Sequence, residues 1–322
     1  MVGYSRLLGG YIEKYSKYCE ASGLWTNHTE RQIRYFDKFC QEYAPEADEL
    51  TQEMVDEWCG KRDTEKMSSC RSRIYPVVGF INYLISRGYV DIDPPIVPKK
   101  SGRTYIPHEF TEEELSAFFK KCDTVKTRGN TISCKVYRLT IPVFFRLLYS
   151  SGIRTYEARF LKLTDVNLKT GVVEIQRTKG RVQHYIVLHD TMLSLMIKYN
   201  ELISLLSPDR EYFFPGSRTA HLSDKWPTYN FAKLWSSIST SRAVAYDLRH
   251  NYAVENIDSW VNVGYEAFDK LVYLSKSMGH CNLEATRYYY HYTSKLDKAT
   301  KNKTEKDIKI MMSEINYEDF KS

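Results

Sequence analysis

The sequence predicts a mostly α-helical protein with one small β-hairpin or sheet, on three observations. Helical periodicity with helix-start signals fills residues 1–94 and most of residues 108–322. A proline-rich stretch separates the two. Only in the second part, over "GVVEIQRTKGRVQHYIVL", does the pattern change to β-branched runs on either side of a turn.

Residues 1–94 read as a bundle of three or four helices. "TERQIRYFDKFCQEY" opens on Thr29-x-x-Gln32, a capping-box pattern that puts Thr29 at the helix start, with Ile33, Phe36, Phe39, Cys40 and Tyr43 on one stripe. "TQEMVDEWC" is a shorter helix carrying Met54, Val55 and Trp58. A long helix follows from about Met67 to Arg87, and Pro76, which has no N–H to donate, predicts a kink or break in it. Residues 95–107 lie in "DIDPPIVPKKSGRTYIP", a proline, glycine and lysine composition that helix interiors exclude, so they form a linker. On charge alone, Lys99, Lys100 and Arg103 fit a phosphate track and a solvated linker equally well.

The second part starts sharply at Thr111-x-x-Glu114 in "TEEELSAFFKKC", again a capping box. Helix continues through "YRLTIPVFFRLLYSSG". The hairpin follows, with Lys179 at its turn. "TMLSLMIKYNELISLL" returns to helical spacing, "YFFPGSR" is a loop, and the remainder is helical.

Composition excludes several classes. The longest apolar run, Val77 to Ile85, is interrupted by Asn82 and falls well short of the roughly 20 residues that span a bilayer. The start, "MVGYSRLLGG", lacks the form of a signal peptide, so a cytoplasmic location is expected. The seven cysteines (19, 40, 59, 70, 122, 134 and 281) are scattered and contain no C-x-x-C, which argues against a disulfide framework or zinc site. The net charge of +6 is uneven: residues 1–100 hold 14 Lys and Arg against 15 Asp and Glu, leaving a net +7 on the rest. That excess is compatible with a polyanionic partner.

Four further signals accompany the tyrosine-rich "ATRYYYHYT". They are Arg154 with Glu157 in "SSGIRTYEARFLKL", Lys179 at the hairpin, Arg249 and His250 in "YDLRHNYA", and His280 in "MGHC", nine residues before Tyr289. Each is weak singly. In this order and spacing they resemble the tyrosine recombinase (phage integrase) family, which carries G-[IL]-R-x-x-E, a hairpin Lys, an H-x-L-R-H box, a G-H step, and a nucleophilic Tyr nine residues after that His. The resemblance covers nearly the whole chain. It implies an N-terminal core-binding domain over 1–94 and a catalytic domain over 108–322, with a tail from about 293 that contacts other protomers.

The implied activity is site-specific cutting and rejoining of double-stranded DNA through a 3′-phosphotyrosine on Tyr289, without cofactor or metal. The implied setting is integration or excision of a mobile element by a tetramer on DNA in the bacterial nucleoid, with a possible accessory bending factor. Arg154 and Arg249 would neutralise the phosphate, Lys179 protonate the leaving oxygen, and His280 donate a hydrogen bond. Candidate phosphate contacts are Lys66, Arg71, Arg73, Lys99, Lys100 and Arg103. Of the tyrosines, Tyr288 and Tyr292 share a helical face and read as packing, and only Tyr289 matches the spacing from His280. Two features depart from the pattern. Tyr246 stands at the first box position, where His is usual, so His250 is read as a supporting residue or substitute base, Glu157 as orienting an arginine or capping a helix, and a catalytically impaired DNA-binding protein stays an alternative. The stretch from Arg249 to His280 is also longer than usual, with the extra residues in "NIDSWVNVGYEAFDK".

Overall fold

The computed structural model describes residues 3–99, 105–176, 183–217, 219–260 and 266–289, with backbone only at 266–268. It divides into two compact units, Met1–Tyr105 and Ile106–Ser322. Lys100, Arg103, Lys179, Tyr290, Tyr292 and the tail from about 293 lie outside the described residues. Among those described, no helix is long and apolar enough to cross a membrane.

The first unit is four helices: α1 (Gly9–Ala21), α2 (Asn27–Tyr43), α3 (Gln52–Cys59) and α4 (Met67–Ser86). Ile12 of α1, Ile33 and Phe36 of α2, Val55 of α3 and Ile74, Val77, Phe80 and Ile81 of α4 are all fully buried against one another. The start of α2 differs from the expected one. Thr26, not Thr29, is the N-cap, and its hydroxyl accepts from the Thr29 N–H at 3.1 Å. Thr26 carries Thr29, not Glu or Gln, at the third position, so the capping-box pattern points to the wrong threonine. Tyr43, expected on the buried stripe, is exposed at the helix end.

Pro76 does not break α4, which runs unbroken across it. Proline removes the donor that would serve the Ser72 carbonyl one turn earlier. His28 of α2 supplies a substitute, its Nε2–H donating to Ser72 O at 3.1 Å. The orphaned acceptor thereby becomes a bond between α2 and α4.

Arg73, expected on a DNA-facing surface, is instead an internal staple. Its guanidinium donates to both Glu65 oxygens (3.0 and 2.8 Å) and to the carbonyls of Trp58 and Gly60 at the end of α3. Helix C-termini leave carbonyls unpaired and carry partial negative charge, so a cation is stabilised there. Arg73 is thus buried with four of its five N–H groups engaged within this unit, not presented to a phosphate. Arg71 gives one N–H to Pro98 O at 2.6 Å, whereas Lys66 and Lys99 are exposed.

The second unit contains α5 (Glu112–Asp123), α6 (Ile132–Ser151), α7 (Thr155–Arg159), strands β1 (Val166–Asn167), β2 (Val172–Ile175) and β3 (His184–Val187), then α8 (Asp190–Leu206), α9 (Trp226–Trp235), α10 (Asp247–Asp258), α11 (Glu266–Ser277) and α12 (Glu284–Arg287). The capping box at α5 forms as expected, between Thr111 and Glu114. The three strands are antiparallel in the order β1-β2-β3, with Val173 opposite Ile186 and Ile175 opposite His184. All four of those side chains are buried on one face. Helix α6 is the spine of the unit, packed by α5, α8 and α10. Its Phe144 and Phe145 lie among Phe118, Phe214, Trp226 and Phe231. A smaller core joins α10, α11 and α12 through Ala253, Ile257, Leu271, Leu274, Met278, Leu283 and Tyr289.

The buried Arg73–Glu65 pair makes a direct prediction. Arg73 holds the Glu65 carboxyl below its ordinary range, so the pair's contribution is present above the unfolded carboxylate pKa and fades as pH falls through the lowered folded value. Glu65→Gln strands a buried charge and is expected to cost about 3 kcal/mol at neutral pH, measured by urea unfolding.

Candidate active site

The site is built at the end of α6. Gly152 caps that helix with φ +63°, and a Cβ there would lie 2.3 Å from the Tyr252 ring, so only glycine turns the chain here. The turn places Arg154 at the start of α7. Glu157, three residues on, is completely buried and serves both expected purposes. Its Oε2 accepts the Arg154 backbone N–H at 3.0 Å, capping α7, and its Oε1 accepts from Arg154 Nη1 at 2.6 Å, orienting the guanidinium.

The two arginines meet on one turn. Arg154 Nη2 donates to Gly279 O at 2.8 Å, and Arg249 Nη2 donates to Met278 O at 2.8 Å. These consecutive carbonyls follow the last residue of α11, where cations are favoured. Arg249, on α10, is 1% exposed and also donates through Nη1 to Gly152 O. Gly279 has φ +61°, and a Cβ on it would lie 2.5 Å from the His184 ring. His184 in turn sits 3.9 Å from Glu157 Oε2. Strand β3, α7 and the 278–280 turn are therefore packed through one buried imidazole.

His280 leaves this turn between two partners. Its Nε2 is 2.9 Å from Arg249 Nη2 and its Nδ1 is 2.7 Å from Thr286 Oγ1. Burial first, then the charges of Arg249 and Arg154, push its pKa down to about 3. Tyr289 is 4% exposed, its ring nearly parallel to that of His280 (14°, centroids 6.1 Å apart) and 4.9 Å from that of His250. Burial raises the phenol above its usual value and Tyr246 adds to this, while Arg249 and Arg154 pull the other way. The phenol is therefore protonated at neutral pH. Burial alone lowers His250 to about 4, making it a weak base, a property that suits packing better than proton abstraction. Tyr246 is half-exposed at the first turn of α10.

The structure thus brings together Arg154, Glu157, Arg249, His250, His280 and Tyr289, with Tyr246 at the edge. Lys179 belongs to the undescribed part of the hairpin. Of the longer Arg249–His280 stretch, the described part is residues 249–260, in α10 and the turn after it, and residues 266–280, in α11 and the turn that ends on His280. Sequence reasoning missed His184 and Thr286. The β-strand alternation opposite Ile175 marks His184 as inward-facing; Thr286 stands three residues before Tyr289, one helical turn away. Among the described residues, no group of three or more His, Cys, Asp or Glu is placed to hold a metal ion.

A mainly helical domain that gathers two arginines, two imidazoles and a buried tyrosine from four separate segments matches a known class. The chain belongs to the phage integrase family of tyrosine-type site-specific recombinases, whose family model matches residues 108–295. It is 25% identical over 289 residues to the tyrosine recombinase XerA of Thermococcus onnurineus, spanning 88% of this chain and 90% of that one. It is 27% identical over 188 residues to the y4rE protein of Sinorhizobium fredii, spanning 57% of this chain and 59% of that one. The fold is similar to that of the Tn1549 transposon integrase, solved in complex with transposon right end DNA, at a TM-score of 0.61 and 12% identity, covering 92% and 99% of the two chains.

Two predictions follow from the packing of this site. An unfolded imidazole takes up its proton near pH 6.5, whereas His250 and His280 resist until about 4 and about 3, so falling pH favours the unfolded chain in that window. Urea midpoints are expected to drop between pH 7 and pH 4.5, and to drop less in His250→Leu. Gly279→Ala forces a left-handed alanine against His184 and is expected to cost at least about 1–2 kcal/mol by the same measurement.

Proposed function

We propose that the protein cuts and rejoins double-stranded DNA at specific sites through a 3′-phosphotyrosyl intermediate on Tyr289, and that it integrates or excises a mobile element. The observation that carries this reading is the convergence of Arg154 and Arg249 on the 278–280 turn, beside Tyr289, whose ring packs on His280. A phosphodiester entering there would meet two planar guanidinium donors, which match the nonbridging oxygens of a five-coordinate phosphorus better than lysines would. The Tyr289 oxygen attacks phosphorus as its proton passes to solvent admitted with the DNA, the bond to the 5′ oxygen breaks, and Lys179 gives that oxygen its proton. The new phosphodiester to the enzyme conserves the bond energy, so rejoining is the same step reversed.

Tyr246 in place of the usual histidine bears on the proton that Tyr289 loses. A phenol is no stronger a base than the phenol it would serve, so Tyr246 acts as a hydrogen-bonding neighbour of the nucleophile or phosphate. The first unit serves as the core-binding domain, with Lys66 and Lys99 among its exposed cations, and assembly is a tetramer on DNA. The mobile-element reading draws support from the Tn1549 transposon integrase, whose structure holds transposon end DNA.

The test uses nicked duplexes drawn from the DNA flanking the gene, with a denaturation-resistant protein–DNA adduct as readout. Wild type is expected to form the adduct, Tyr289→Phe to form none, and Tyr288→Phe and Tyr290→Phe to retain it. Arg154→Ala and Arg249→Ala are expected to lose about 10²–10³-fold in adduct formation. Binding of a duplex without any adduct would instead support the catalytically impaired reading, and an adduct surviving Tyr289→Phe would remove the nucleophile assignment.

A further inference from the structure

We propose that Thr286 is a positioning residue that anchors the His280 ring nitrogen opposite Arg249, accepting the Nδ1 proton in the resting site, and that its hydroxyl reverses direction when a phosphate enters. The second half of this rests on the function proposed above; the first half stands on the DNA-free protein alone.

A guanidinium has donors and no lone pair, so the 2.9 Å contact between Arg249 Nη2 and His280 Nε2 requires that Nε2 be the acceptor. The proton of the neutral ring is then on Nδ1, and the 2.7 Å contact to Thr286 Oγ1 is a bond donated by Nδ1–H. Thr286 is fully buried on α12, held by its backbone N–H to Leu283 O at 2.9 Å, so the hydroxyl cannot be replaced by solvent. In this state His280 has nothing to donate from Nε2. Its Nε2 lone pair is taken by Arg249 Nη2.

Donation from Nε2 to a phosphate oxygen requires the other tautomer. One proton leaves Nδ1 and one is gained at Nε2, through solvent that enters with the DNA, and no net proton is taken up. Nδ1 then becomes an acceptor and needs a donor. A hydroxyl is suited to this position because it accepts in one state and, by rotating, donates in the other. The same exchange breaks the contact with Arg249 Nη2, leaving that N–H for the phosphate. A valine at 286 supports neither state; a serine supports both.

The experiment is ¹⁵N NMR of the full chain labelled at its histidines, whose ring-nitrogen shifts distinguish protonated from unprotonated nitrogen. DNA-free wild type is expected to show His280 protonated at Nδ1; Thr286→Val is expected to keep that tautomer, which Arg249 imposes, but to shift the Nδ1 resonance as its acceptor is lost, and Thr286→Ser to restore the wild-type shift. Protonation at Nε2 in the wild type, or a His280 Nδ1 shift unchanged in Thr286→Val, would overturn the proposal. With a duplex that yields the Tyr289 adduct, Thr286→Val is expected to bind as tightly as wild type but cleave at least about tenfold more slowly, with Thr286→Ser recovering the rate. Cleavage by Thr286→Val at the wild-type rate would overturn the exchange on phosphate entry. If no duplex yields an adduct even with wild type, it is the proposed function that fails, and the nitrogen shifts still decide the tautomer.

Discussion

Arg249 is the constraint around which the catalytic unit is arranged. A permanently charged guanidinium at 1% exposure must have acceptors at hand, because an unpaired buried charge costs several kcal/mol. Its acceptors are the Gly152 carbonyl at the end of α6, the Met278 carbonyl after α11 and the His280 imidazole. Two segments distant in the chain, the end of α6 and the 278–280 turn, are thereby fixed to α10 by one side chain. The neighbouring groups titrate accordingly: the adjacent cation helps keep His280 neutral, and it partly offsets the burial that raises Tyr289. The charge that would receive a phosphate also organises the protein before one arrives.

Much of this was legible along the chain wherever the determining contacts are local. Thr111 and Glu114 cap α5 because the two residues that complete the box are three apart. Arg154 and Glu157 are equally close, and their pairing follows from the same spacing. What is not local was hidden. Arg73 looked like one more surface cation because nothing near it in sequence shows that Glu65 and the end of α3 fold over it. Pro76 looked like a break because the residue that takes over its lost acceptor, His28, lies on another helix.

The site itself divides the same way. Spacing selected Tyr289 from its neighbours, and its burial between two imidazoles agrees with its being distinct from the half-buried Tyr288. His184 and Thr286 carried no such mark. A lone histidine in a strand and a threonine beside a tyrosine run are ordinary in composition. Their importance arises from one turn at Gly279 that brings strand β3, α7 and α12 within reach of each other.

That turn also separates what evolution is free to change. Arg154 and Arg249 bond to the 278–280 turn and Tyr289 packs on His280, so a substitution there alters arginine placement, imidazole hydrogen bonding and tyrosine packing at once. The placement of the two arginines, the imidazole and Tyr289 is therefore inherited as a block.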